Sequence, residues 1–260
     1  MIPLRDTIRS RSFPVVNWLV IVANLLVFVL IELPLRPHQL DRLVLAFGVV
    51  PARCALIGLA GGQAAVLPKP ALLIGGCAIP LFTSMFLHSG WVHIISNLWA
   101  LYIFGDNVED RMGPLRYLFF YLLGGIVAGL TQVIVDPASR VPAIGASGAI
   151  AGVLGAYLVL FPNSRVYTLV PLFFLPWFVE IPAVIYLGLF FLPWFVEIPA
   201  VIYLGFWFVS QFFSGVLSLG VTVGGGVAYW AHIGGFVFGV LLVRLFARRP
   251  RVYYRRSADE

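Results

Sequence analysis

Apolar runs about twenty residues long recur along this chain between clusters of arginine, and that pattern decides which solvent it can fold in. A helix needs about 20 apolar residues to cross a bilayer. Six crossings are expected, at about 14–33, 91–108, 115–135, 145–161, somewhere within 178–213, and about 227–246. Composition agrees: the hydrophobic set makes up 61% of residues and the charged set 11%, whereas a soluble globule is about a quarter charged. So few ions do not cover a water-facing surface, and the same apolarity excludes disorder. A disulfide scaffold is excluded because Cys54 and Cys77 are the only cysteines. No HExxH, CxxC or Walker A pattern occurs, which removes support for zinc proteases and nucleotide-driven pumps. The fold class expected is an all-α membrane protein, a bundle of six transmembrane helices.

The net charge of +6 does not point to nucleic acid, because the basic residues sit at the ends of apolar runs. Arg5, Arg9, Arg11, Arg111, Arg116, Arg165, Arg244, Arg248, Arg249, Arg251, Arg255 and Arg256 share one side if the spans alternate. Arg36, Arg42, Arg53, Lys69 and Arg140 fall on the other. The positive-inside rule then makes both termini cytoplasmic. Three parts are expected: a short cytoplasmic tail, 1–13; a membrane domain, 14–247; and a basic cytoplasmic tail, 248–260, lying against anionic lipid. No small-residue cleavage site follows the first run, so it is read as a retained span. With no transit-like extension, a bacterial-type cytoplasmic membrane is the expected home.

Residues 172–188, LFFLPWFVEIPAVIYLG, recur unchanged as 189–205. Each copy carries one acid (Glu180, Glu197) and two prolines (Pro176 and Pro182; Pro193 and Pro199). A carboxylate at the bilayer centre costs about 2.5–3.5 kcal/mol. One copy is therefore expected near the cytoplasmic interface, with the other beginning span five. An extra crossing would place the arginine-rich tail outside, so none is expected. The long loop 34–85 has apolar stretches too short to span, which suit interfacial or re-entrant helices. Both cysteines lie in it, and their pairing is left open.

Polar side chains within apolar spans are expensive and are functional-site hypotheses by default. Ser147 lies in Gly145-Ala146-Ser147-Gly148, which opens span four. One reading is a packing face, since Gly148 and Gly152 form a GxxxG pair. The other is a nucleophile at a helix N-terminus, where backbone N–H groups favour an oxyanion. The hydrolase elbow GxSxG is not matched, because Ala149 takes the last place. His232, in AHIGG, opens span six, and Gly235 and Gly239 share its helix face. Close contact of spans four and six would bring His232 to Ser147. His93 and Asn97 are i,i+4 on span two and offer two donors on one face, for an oxyanion or for a neighbouring helix. His88, five residues before His93, lies well round a helix from it and makes a poor metal pair. All three chemistry-bearing positions open even-numbered spans, which places them in the outer leaflet.

The ordered set HSGWVHIISN (88–97), GASG (145–148) and AHIGG (231–235) resembles the rhomboid family of intramembrane serine proteases over roughly 80–250. The resemblance implies that Ser147 is the nucleophile and His232 the general base. It implies that His93 and Asn97 support the oxyanion, and that His88, Gly145, Gly148, Gly235 and Gly239 support the site. Glu109 and Arg111 match a structural ExR feature. Two departures stand out. The Trp-Arg pair often found in the first loop is absent, and Ala151 stands where an aromatic often stacks on the histidine.

Taken together these imply a serine endopeptidase using a Ser–His dyad, since no acid is obviously placed to orient His232. Its partners would be transmembrane protein substrates and the lipid bilayer; no metal or organic cofactor is required. Ser214–Gly226, rich in Gly and Ser, reads as a cap over the site or as a plain loop. The alternative function is a non-catalytic rhomboid-like binder of membrane proteins. A small-solute transporter is disfavoured, because the repeat is far too short to be a helix-bundle repeat.

Overall fold

The computed structural model describes residues 2–59, 74–170, 194–219 and 226–248. Its polarity is reversed relative to a water-soluble protein. Asn17, Asn24, Glu32, Asn97 and Glu109 are buried, while Val92, Leu241 and Leu245 point outward, the last two 69% and 75% exposed. An apolar exterior this broad belongs in lipid.

Helix α1, Val15–Val27, continues through a π-turn at Phe28–Glu32. Its first N–H groups have no intrahelical acceptor, and no side chain of its own caps them. Glu109 does so from α5, Trp91–Met112: its carboxylate accepts from Val16 N (3.0 Å) and Asn17 N (2.7 Å). Negative charge at a helix N-terminus is stabilising, so the structural role read for Glu109 has a physical basis. Asn17 then donates to the Leu101 carbonyl (2.9 Å) and accepts from Tyr117 on α6, Pro114–Val135 (2.8 Å). One buried amide therefore joins three helices.

The loop after α1 carries two short helices, α2 (Pro37–Phe47) and α3 (Pro51–Leu59). A π-turn at Ile74–Ala78 and α4, Ile79–Thr83, follow. Cys54 and Cys77 are disulfide-bonded, with Cα atoms 5.2 Å apart, which answers the question the sequence left open. The Arg53 guanidinium donates to the carbonyls of Leu45 and Gly48 and closes the end of α2.

Helix α7, Ser147–Leu160, is the axis of the bundle, with every residue from Gly148 to Tyr157 buried. It packs between α5, α6 and α9, Tyr229–Phe246. Helix α8, Ala200–Ser218, leans on α9. Among the described residues, four helical segments are long and apolar enough to cross a membrane: 15–32, 114–135, 200–218 and 229–246. A fifth arises if 74–86 and 91–112, bent by 80°, count together. The expected fourth span, α7, has 14 residues, or about 21 Å against a core of about 30 Å. It falls short because extended chain precedes it: Ala143 pairs with Val49, and helix begins only at Ser147.

A three-stranded antiparallel sheet joins the helices: β1 (Ile2–Asp6), β2 (Arg165–Val170) and β3 (Trp194–Pro199), in the order β1-β2-β3. It adds to the helical class expected, and β1 uses residues read as a tail. The second copy of the repeat supplies β3 and then the first turn of α8, so it does begin span five. Glu197 lies on the strand, 3.8 Å from Arg165, with both side chains about half exposed. The first copy, with Pro176, Glu180 and Pro182, lies outside the described residues, as do Pro193, Lys69 and the arginine tail beyond Arg248. Ser214–Ser218, part of the expected cap, is helical and belongs to α8; 220–225 lie outside the described residues.

Val170 and Trp194 are antiparallel partners, so the chain leaves the sheet and rejoins it at one place. Removing either copy gives the same sequence and leaves six connecting residues, Pro171 and Leu189–Pro193, which suffices for a hairpin loop. A variant lacking 172–188 is expected to keep its thermal unfolding midpoint within about 2 °C of the full chain. Loss of folded protein would show that the extra copy is structural.

Asp6 ties the sheet to the bundle, accepting from Tyr157 Oη (2.6 Å) and Asn107 Nδ2 (2.8 Å). Burial pushes its carboxyl up to about 6, against the Tyr157 hydrogen bond, and nearby Asp106 adds to the rise. The protonated form is therefore favoured on folding. This contribution is complete below the ordinary value of 3.8 and is lost as pH rises through about 6. Thermal unfolding in detergent between about pH 4 and 7 should show that slope, and Asp6→Asn should flatten it.

Candidate active site

Ser147 is the first residue of α7, after Ala146, which provides no side-chain cap. His232 lies in the first turn of α9 and is 8% exposed. Their side chains meet: Ser147 Oγ is 2.7 Å from His232 Nε2. Glycine makes this possible, since a Cβ on Gly235 would collide with the Gly148 carbonyl, and one on Gly239 with that of Gly152. The helices therefore touch backbone to backbone, as the glycine spacing implied. A Cβ on Gly148 would itself lie 2.6 Å from that of Ala128, so the third helix, α6, closes on the same seam.

His93 and Asn97 lie on one face of α5, as their spacing requires. They close over Gly145, where a Cβ would lie 2.6 Å from His93 Nε2 and 3.6 Å from Asn97 Nδ2. Gly145 also has φ of 117°, which a side chain would strain. Its N–H donates to the Ser84 carbonyl (2.8 Å) and holds the turn that presents Ser147. Asn97 Nδ2 is buried without a partner among the described residues, which leaves a donor free for a ligand. The Ser89 N–H donates to His93 Nδ1 (3.3 Å). Ser89 Oγ lies 3.1 Å from the same nitrogen, and with Nδ1 accepting from the Ser89 N–H the ring proton is favoured on Nε2, which faces Gly145.

His88 departs from its helical-wheel placement. Residues 87–90 are not helical, and its ring meets that of His93 edge-to-face at 5.1 Å. It is buried with neither ring nitrogen partnered among the described residues, while its backbone N–H donates to the buried Glu32 carboxylate (2.9 Å). The sequence reading passed over Gln211 and Trp207, both on α8. Gln211 Oε1 is 2.7 Å from His232 Nδ1, and the Trp207 ring lies 5.9 Å from the imidazole, tilted by 31°. Beside Ser147 is a cavity of about 30 Å³ lined by Gly125, Ala128, Gly129, Gly145, Gly148 and Ala149, among others. It admits only about one or two water-sized groups.

A Rhomboid domain family model matches residues 76–249, more than half of the chain and the whole of this site. The chain belongs to the rhomboid family. It is an integral membrane protein, and its family includes serine proteases. It is 35% identical over 88 residues to "Putative rhomboid protease YdcA" of Bacillus subtilis (strain 168), covering 33% of this chain and 44% of that protein. It is 31% identical over 152 residues to "Rhomboid protease GluP" of the same strain, covering 58% of this chain and 26% of that one. "Inactive RHOMBOID-like protein 8" of Arabidopsis thaliana is 36% identical over 88 residues, covering 34% and 24%. The chain thus spans less than half the length of these curated relatives, and the family holds both proteases and a member named inactive.

Proposed function

We propose that this rhomboid is an intramembrane serine protease that hydrolyses peptide bonds in or near transmembrane segments. The observation carrying this reading is the 2.7 Å approach of Ser147 Oγ to His232 Nε2 at the seam between the first turns of α7 and α9. Ser147 Oγ attacks the substrate carbonyl carbon while His232 Nε2 takes its proton. The oxyanion that forms meets Ser147 N–H at the start of α7, His93 Nε2–H and Asn97 Nδ2–H. The imidazolium gives its proton to the leaving amine, and the acyl-enzyme forms. A water molecule then repeats the sequence, with His232 again the base, and releases the acid.

The small glycine- and alanine-lined cavity beside Ser147 supports acceptance of small side chains at the cut. Residues 14–247 would work as one membrane domain in a bacterial-type cytoplasmic membrane, with both termini cytoplasmic and the serine in the outer leaflet. The test is covalent. A fluorophosphonate probe should label the wild-type protein in detergent, and His232→Ala should cut the labelling rate by about 10³-fold or more. Equal labelling of both would show that His232 does not act as the base and would instead favour a non-catalytic binder of membrane proteins.

A further inference from the structure

We propose that Gln211 is the positioning residue of this site: it fixes which nitrogen of His232 carries the proton, and Ser210 fixes Gln211. The inference rests on the protease reading above, in which His232 is the base.

The direction of the hydrogen-bond chain follows from what each atom can do. The Trp207 carbonyl can only accept, and Ser210 Oγ lies 2.6 Å from it, so the Ser210 proton points there. The lone pairs of Ser210 are left to accept, and Gln211 Nε2 donates to them at 3.3 Å. That contact turns Gln211 Oε1, rather than its NH₂, towards His232 at 2.7 Å. A carbonyl oxygen there requires the ring proton on Nδ1. Nε2 then keeps its lone pair, 2.7 Å from Ser147 Oγ, and can accept the serine proton. A reversed amide would put an N–H against Nδ1 and drive the ring proton to Nε2. The base would be lost with every atom in place. In the Ser-His-Asp triad an acidic side chain performs this orientation; here a neutral amide is in its place, with its own direction set by a backbone carbonyl.

Trp207 reinforces the assignment. It lies four residues before Gln211 on α8, and its ring covers the imidazole. Both groups that hold His232 therefore come from the 207–211 stretch of one helix, which also receives the hydroxyl of Ser210.

The experiment uses the full chain in detergent with a single-span substrate. Gln211→Leu should lower kcat by about 10- to 100-fold with KM changed by less than about twofold. Gln211→Glu keeps an acceptor at Nδ1 and should recover activity to within about fivefold of wild type. Ser210→Ala frees the amide to turn and should cost about 3- to 10-fold. Nitrogen chemical shifts of ¹⁵N-histidine-labelled protein should place the His232 proton on Nδ1 in the wild type and in Gln211→Glu. In Gln211→Leu the same signals should show a mixture with the Nε2–H form. Equal losses in the Leu and Glu variants, or an unchanged tautomer in Gln211→Leu, would overturn the proposal, the first by marking a packing role. Should Gln211→Leu fail to fold, Gln211→Glu and Ser210→Ala still decide it. If wild-type protein shows no Ser147-dependent cleavage, the protease reading fails, while the tautomer of His232 still tests Gln211.

Discussion

Ser147→Ala is expected to lower cleavage of a single-span substrate by at least about 10⁴-fold while leaving the fold intact. The loss is chemical because little else depends on the hydroxyl. Ser147 Oγ has one hydrogen bond among the described residues, to His232. The helix cap is Ala146, with no side-chain bond, so alanine at 147 removes no cap. Alanine is also the best helix former and fills nearly the same volume. Thermal unfolding should therefore shift by no more than about 2 °C, because little stability changes. Gel-based cleavage and unfolding on the same preparation check both halves of the expectation. Cleavage at wild-type rate with the serine gone would assign the nucleophile elsewhere, and the proposed mechanism would fall with it.

What was readable in the sequence was what lipid makes conspicuous. Ser147, His232, His93 and Asn97 stand out because each is polar within an apolar run, and their regular spacing placed them on defined helix faces. Gln211 is just as polar and lies in the same setting, but it has no companion at motif spacing. The direction of its amide depends on Ser210 and on the Trp207 carbonyl, which no pattern along the chain records. The place of His88 does not follow from a helical period, because residues 87–90 are not helical. The sheet was not readable at all. Ile2 pairs with Leu169 and Val170 with Trp194, and the first pairing links residues far apart, whose strands are too short to give a period. At α7 helix length alone does not identify a crossing. Extended chain holds Ala143 against Val49 and helix starts only at Ser147, so its 14 residues are fewer than a full crossing needs.

Gly235→Val is expected to abolish cleavage, to below about 10⁻³ of wild type, and also to lower the unfolding temperature. The α7–α9 seam is a ladder of backbone contacts. A Cβ on Gly235 meets the Gly148 carbonyl, one on Gly239 meets that of Gly152, and one on Gly155 meets that of Phe236. Neither helix has a flexible side chain at these points that could turn aside. Alanine at 235 would already force the helices apart, and valine, stiff at χ1, would do so further. Overpacking of this kind costs about 1–3 kcal/mol or more, which should appear as a lower midpoint. The chemical cost is larger, because Ser147 and His232 sit on the two helices being separated, within a turn of the wedge. A misplacement of about 1 Å at a reacting centre can cost about 10²-fold, and a 2.7 Å hydrogen bond stretched by that much no longer transfers a proton. The series Gly, Ala, Val at 235 should therefore fall monotonically in kcat. Gly205→Ala is the matched control: a Cβ there meets nothing within 4 Å, and helix propensity favours alanine by about 1 kcal/mol. It should keep full activity and unfold slightly later. If Gly235→Val cleaved as wild type does, the two helices could not be holding the serine and the histidine together through this contact.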